Sequence, residues 1–149
     1  MATREQIQET AREYLGTPFQ HQGRIKGHAC DCVGLPLMVG DELHLLDKNG
    51  RPFLKMDNAN YSAQPLDRFV HEEAQRRLIE KPIDQMKPGD MITLRVPTTP
   101  CHVAIVTNLQ GGLGMIHAYV GNGKVVEHVL DKKWIKRIEG CFEFPGTEE

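Results

Sequence analysis

Three residues of this chain have the types needed for acyl transfer through a thiol: Cys32, His102 and His117. Such chemistry requires a thiolate, a histidine that takes and returns a proton, and a group that holds the histidine in the right tautomer. A free thiol titrates near ~8.5, and a helix N-terminus with a neighbouring imidazolium brings it to roughly 3.5–7.5. Cys32 stands where a polar loop feeds an apolar run, VGLPLMVGDELHLL. A helix beginning there would place its N-terminal field at the sulfur. The position equally suits a buried cysteine acting as a small hydrophobe, and spacing alone leaves both readings open.

The histidines add a geometric constraint. His102 and His117 lie in CHVAIVT and MIHAYV, two strand-like segments separated by NLQGGLG. A hairpin turning near Leu109–Gly111 would bring positions 102 and 117 close to opposite one another, and opposite residues share a face with Cβ atoms ~4.5–5.5 Å apart. Two histidines within hydrogen-bond reach form a base with its orienter. Taken singly, each also fits a satisfied polar residue at a sheet edge.

The surrounding elements must position these groups. Thr3 and Gln6 have capping-box spacing, and Ile7, Ala11 and Tyr14 recur on one face, which predicts an N-terminal helix stopped by Gly16 and Pro18. The glycine-bearing loop TPFQHQGRIKGHA leads to Cys30-Asp31-Cys32. Pro36 cannot donate to the carbonyl of Cys32, so the helix there must start late or with an irregular turn. A turn-rich insertion is expected at about 47–64, and a third helix around Leu66, Phe69, Val70 and Ala74. After the turn Lys87-Pro88-Gly89-Asp90, strands are predicted at Met91–Val96, Val103–Thr107, Met115–Val120, Lys124–Val129 and around Cys141–Phe144. Helices first and an antiparallel sheet second is the α+β pattern.

The 149 residues suit one domain over positions 1–149, and 40% hydrophobic with 26% charged residues is an ordinary globular balance. A net charge of -2 supplies no electrostatic case for nucleic acid or an anionic membrane surface. No segment approaches the ~20 apolar residues of a membrane-spanning helix, and the opening MATREQIQETAREYL lacks the apolar stretch of a secretory signal. Four cysteines are too few and too irregularly spaced for a disulfide framework. The expectation is cytoplasmic synthesis with free thiols, and delivery by some route other than a signal peptide if the protein works outside the cell.

Five motifs occur in an order that resembles the NlpC/P60 cysteine peptidases: Gly16-Thr17-Pro18-Phe19, Asp31-Cys32-Val33-Gly34-Leu35, Lys87-Pro88-Gly89-Asp90, His102-Val103-Ala104-Ile105-Val106 and Met115-Ile116-His117-Ala118. The likeness runs from about Ala11 to Phe142. It implies a permuted papain-like fold with the nucleophile at a helix start packed on an antiparallel sheet. Carried over by position, the nucleophile is Cys32, the base His102 and the third polar residue His117. The implied reaction is hydrolysis of amide bonds in peptidoglycan stem peptides, commonly the D-γ-glutamyl–diaminopimelate link, with no cofactor and no metal. The run TPFQHQGRIKGHACDC also resembles a branch among bacteriophage tail proteins and gene transfer agents, which implies delivery to the cell wall by a particle.

Two departures bear on substrate. Phe19 stands where many family members carry a tyrosine whose hydroxyl faces the site; Phe19, Gln20, His21 and Asp31 are the expected substrate contacts, with Gln20, His21 or Gln22 the candidates to replace that hydroxyl's hydrogen bond. The hairpin between His102 and His117 is longer than usual, and its segment Asn108–Gly114 is expected to form a cleft wall. Rival readings are a CHAP-like N-acetylmuramoyl-L-alanine amidase, a catalytically idle tail module, and a Cys2His2 zinc site from Cys30, Cys32, His102 and His117. The C-x-C spacing fits zinc poorly, since structural sites use C-x2–4-C. Cys30 is read as a packing residue with some sensitivity to oxidation. Pro100-Cys101-His102 lacks the rest of a deaminase signature. His28, His44, His71 and His128 are read as structural or solvated, His128 on a strand face near the surface, and Trp134 as a core or edge anchor.

Overall fold

The computed structural model describes residues 1–54, 69–96 and 99–149, with backbone alone at 99–101. A short β1 (Ala2–Thr3) leads into α1 (Arg4–Arg12). The expected capping box forms: Thr3 Oγ1 accepts the Gln6 N–H at 3.0 Å, and Gln6 Oε1 accepts the Thr3 N–H at 2.8 Å. Ile7, Ala11 and Tyr14 are buried. The following loop carries a small hairpin, β2 (Arg24–Ile25) with β3 (Ala29–Cys30), and ends at α2 (Gly34–Glu42). Pro36 falls in the first turn of α2, where its missing N–H is tolerated. The helix closes with His44 at positive φ, the His44 N–H bonded to Asp41 O and the Leu45 N–H to Gly40 O, a Schellman cap that gives His44 a structural role.

Of the turn-rich insertion, 47–54 is described and 55–64 lies outside the described residues, as does Leu66. The third helix is α3 (Phe69–Arg77), with Val70 and Ala74 buried. Then come β4 (Ile79–Lys81), a single 3-10 turn at Ile83–Gln85, β5 (Met91–Val96), β6 (Thr99–Leu109), β7 (Gly112–Tyr119), β8 (Lys124–Val129), α4 (Lys132–Ile135), β9 (Ile138–Glu143) and β10 (Thr147–Glu148). Among the described residues, six strands form one antiparallel sheet in the order β4-β9-β5-β6-β7-β8, while β1 and β10 pair in parallel. This is the α+β, permuted papain-like arrangement expected, with N-terminal helices laid on a later sheet. Unanticipated are β1, β2, β3, β4, β10 and α4, each of two to four residues and too short to carry a period.

Alternation divides the sheet between two cores. Val103, Ile105, Ile116, Ala118, Val125 and Phe142 pack with Ile7, Ala11, Leu35 and Val39 of the helices. On the other face Ile92, Leu94, Ala104, Val106, Met115 and Cys141 pack with Leu130, and Trp134 closes over them. Trp134 is therefore an edge anchor, carried on α4 by the Asp131 cap, whose Oδ1 accepts the Trp134 N–H at 3.2 Å. No helix among the described residues is long and apolar enough to cross a membrane.

Candidate active site

Cys32 sits two residues before the first residue of α2, partly exposed and packed against the helix-side core. Asp31 shapes that corner. Its Oδ1 accepts the Gly34 N–H at 2.8 Å and the Arg24 guanidinium at 2.9 Å, and its Oδ2 accepts the Gln22 N–H at 2.7 Å. Gly34 is needed here, because a Cβ at that position would meet Gly23 O at 2.6 Å. Asp31, anticipated as a substrate contact, is thus buried with both oxygens turned into the loop. Phe19 is half-buried against the core and pinned by its N–H to Gly123 O at 2.8 Å, while Gln20 and His21 are exposed on the loop before β2.

The histidines are positioned by β6 and β7. On β6 the Val106 N–H reaches Asp90 O on the β5 side, so by alternation the Val103 N–H points toward β7. The β6–β7 ladder stops at Ile105–Ile116, and beyond it the Val103 N–H is turned to the side where its dipole acts to lower the Cys32 thiol pKa. The residue beside Val103 is His102. Its Nε2 lies 2.6 Å from His117 Nδ1, and both rings are buried.

The two histidines meet somewhat differently than anticipated. The hairpin turns at Gln110–Gly111, both at positive φ and closed by the Leu109–Gly112 pair, one residue later than symmetry between 102 and 117 requires. His102 is consequently diagonal to His117 on one face rather than opposite it, a separation that imidazoles span. The length of the hairpin corrects the expected cleft wall. Asn108–Gly114 lies at the far end of the hairpin, roughly 20 Å along the strands from His102 at ~3.3 Å per residue. There it is held to α1 by Gln8 and Arg12 through the Asn108 backbone.

The electrostatics differ from a preformed thiolate–imidazolium pair. Burial pushes the Cys32 thiol up to about 12, with the Asp31 carboxylate adding to the rise and the Val103 N–H opposing it. Asp31 occupies a helix N-terminal donor and offsets the field expected to acidify the thiol. Burial also pushes His102 down to about 3, and burial with the neighbouring His102 and His128 takes His117 to about 2. The resting groups are a neutral thiol and neutral imidazoles.

His128 lies on a strand face near the surface as expected, but it also makes an unanticipated contact: its Nε2 is 2.8 Å from His117 Nε2. The β7–β8 register pairs His117 with Val126, so His128 is again two residues off along the same face. The available signal was parity once both turns are known. Tyr119 stacks on His117 at 5.3 Å between centroids, and Trp134 meets His117 edge-on at 5.2 Å. Of the Cys2His2 set, Cys30 Sγ is turned to Asp31 O at 3.2 Å and the two histidines bond each other. No three His, Cys, Asp or Glu side chains converge as metal ligands among the described residues.

Residues 16–142 match the NlpC/P60 family. The chain belongs to that family. Its fold is similar to that of an NlpC/P60 family protein from Bacillus cereus ATCC 10987, at 18% identity and a TM-score of 0.65 over 95% of this chain. This chain spans 40% of that protein's length. It is also similar to the NlpC/P60 domain of the peptidoglycan hydrolase SagA, at 21% identity and a TM-score of 0.61, covering 96% of this chain and 100% of that domain. An N-acetylmuramoyl-L-alanine amidase from Bacteroides uniformis ATCC 8492 shares the fold at 14% identity and a TM-score of 0.53, over 95% of this chain and 98% of the amidase. No curated protein matches the chain.

Proposed function

We propose that this NlpC/P60 domain is a thiol-dependent endopeptidase that cuts amide bonds in peptidoglycan stem peptides, at the D-γ-glutamyl–diaminopimelate link. The observation that carries the reading is the buried His102–His117 pair, its nitrogens 2.6 Å apart, in a chain whose partly exposed Cys32 leads into α2. With His102 Nε2 engaged by His117, Nδ1 is the nitrogen left for the thiol.

Because thiol and imidazole are both neutral at rest, proton transfer accompanies attack rather than preceding it. His102 Nδ1 takes the Cys32 proton as sulfur bonds to the scissile carbonyl carbon. The tetrahedral oxyanion collapses, the C–N bond breaks, and His102 returns the proton to the leaving amine. Water, deprotonated by the same nitrogen, then releases the acid and restores the thiol. Gln20 and His21, exposed next to Phe19 in the chain, are the polar groups we assign to substrate contact, a reading their exposure supports. The likeness of the loop before Cys32 to phage-tail and gene-transfer-agent peptidases supports delivery by a particle and action at the cell wall.

The test is digestion of diaminopimelate-type muropeptides with mass analysis of the new termini. A free diaminopimelate amino group is expected. A cut only between muramic acid and the first alanine replaces this reading with the amidase, and no cut in muropeptides or whole walls leaves an idle structural module.

A further inference from the structure

The imidazoles of His102, His117 and His128 form a continuous row across β6, β7 and β8 that ends on a backbone carbonyl: His128 Nδ1 lies 2.9 Å from Val129 O. A carbonyl only accepts, so His128 Nδ1 carries a hydrogen. With His128 neutral, its Nε2 is bare and accepts the His117 Nε2–H across 2.8 Å. Neutral His117 is then bare at Nδ1 and accepts the His102 Nε2–H across 2.6 Å. His102 is left with an unprotonated Nδ1, the form a general base requires.

We propose that His128 is a positioning residue which, anchored by the Val129 carbonyl, sets the tautomers of His117 and through it of His102. His117 alone does not determine the direction, because an imidazole pair bonds equally well with either ring donating. Val129 O breaks that symmetry, since a carbonyl has no proton to give, and its residue is fixed on β8 opposite Gly114. His128 is held in place by Trp134, whose ring lies 5.3 Å away. Burial disfavours a second proton on His102 and His117, so each of these two rings carries one. The consequence for catalysis rests on His102 acting as the base, whereas the tautomers themselves do not.

The experiment is long-range 1H–15N correlation on the 15N-histidine-labelled full chain at pH 8, for wild type, His128→Phe and His128→Gln, alongside muropeptide turnover. Wild type should show His102 and His117 both protonated at Nε2. His128→Phe, which keeps a ring beside Trp134 but offers no acceptor, should shift His117 toward the Nδ1-protonated form and lower kcat about 10–100-fold with KM little changed. His128→Gln, which can accept from His117 and donate to Val129 O, should restore the wild-type tautomers and most of kcat. His117 protonated at Nδ1 in wild type overturns the proposal, whether or not any variant folds. Unchanged tautomers in a folded His128→Phe also overturn it. If the expected tautomers appear but wild type cuts nothing, the hydrolase reading fails and the hydrogen-bond direction stands.

Discussion

At the residue scale, access rather than acidity distinguishes Cys32. Burial pushes Cys30, Cys32 and Cys141 alike up to about 12, but only Cys32 of these three is partly exposed. In a Cys101→Ser background, iodoacetamide should label Cys32 first, and the rate should climb with pH as the thiolate fraction grows. Peptide mapping that finds Cys30 modified first with activity retained would remove Cys32 from the nucleophile's role. Cys32→Ser should abolish turnover while leaving the thermal transition in place, because a serine hydroxyl is far less acidic than a thiol in the same setting. Among the histidines, His102→Ala should reduce kcat by about 10²–10⁴ and His117→Ala by less, since one moves the proton and the other orients it. Single-turnover rates showing the opposite order would mean that the roles are exchanged.

At the element scale, α3 is fastened to the loop after α2 by one buried ion pair. Arg77 Nε donates to Asp47 Oδ2 at 2.9 Å, and its Nη2 reaches Phe53 O at 2.9 Å. Asp47 also accepts the Asn49 and Arg51 N–H groups. Burial alone would raise the Asp47 pKa, and these donors more than offset it, so the carboxyl sits below its ordinary value. A depressed carboxyl contributes stability above the unfolded pKa, near ~3.9, and that contribution is lost as pH falls through the lower folded value. Arg77→Ala should therefore cost about 3–5 kcal/mol at pH 7 by leaving a buried carboxylate unpaired. Urea unfolding should show the deficit shrinking on acidification. A deficit that does not change with pH would mean that Arg77 matters through packing on Phe53, which its guanidinium faces at 5.1 Å.

At the scale of the whole molecule, Asp90 joins the two ends of the chain to the sheet. Fully buried, it accepts from Arg4 of α1 at 2.8 Å and the Lys87 N–H at 2.8 Å, with Lys81 of β4 at 3.0 Å. Arg4 continues to Glu143 of β9 at 2.5 Å and Glu149 at 3.1 Å. The Lys87-Pro88-Gly89-Asp90 motif is thus architectural, a turn whose last side chain gathers α1, β4 and β9 around the start of β5. Asp90→Ala should cost about 3–5 kcal/mol, because it strands two mostly buried cations. Denaturant titration should show this loss, while kcat per folded molecule stays near wild type. A selective fall in kcat with stability intact would instead connect Asp90 to the site.

The sequence by itself determined the elements and the two histidines. Capping chemistry at Thr3 and Gln6, extended apolar-bearing runs at Met91–Val96 and Lys124–Val129, and turn residues between runs are local properties, and the structure has them where local rules put them. The ordered motifs pointed to the NlpC/P60 family, which the match over 16–142 shows. Only the tertiary structure decided the rest, because it depends on register. A turn one residue later moved His102 from opposite His117 to diagonal, the separate β7–β8 register set His128 against His117, and the length of the hairpin leaves Asn108–Gly114 at its far end. Burial likewise set the resting charges, as the thiol and imidazoles lose their solvation together once the sheet and helices close over them.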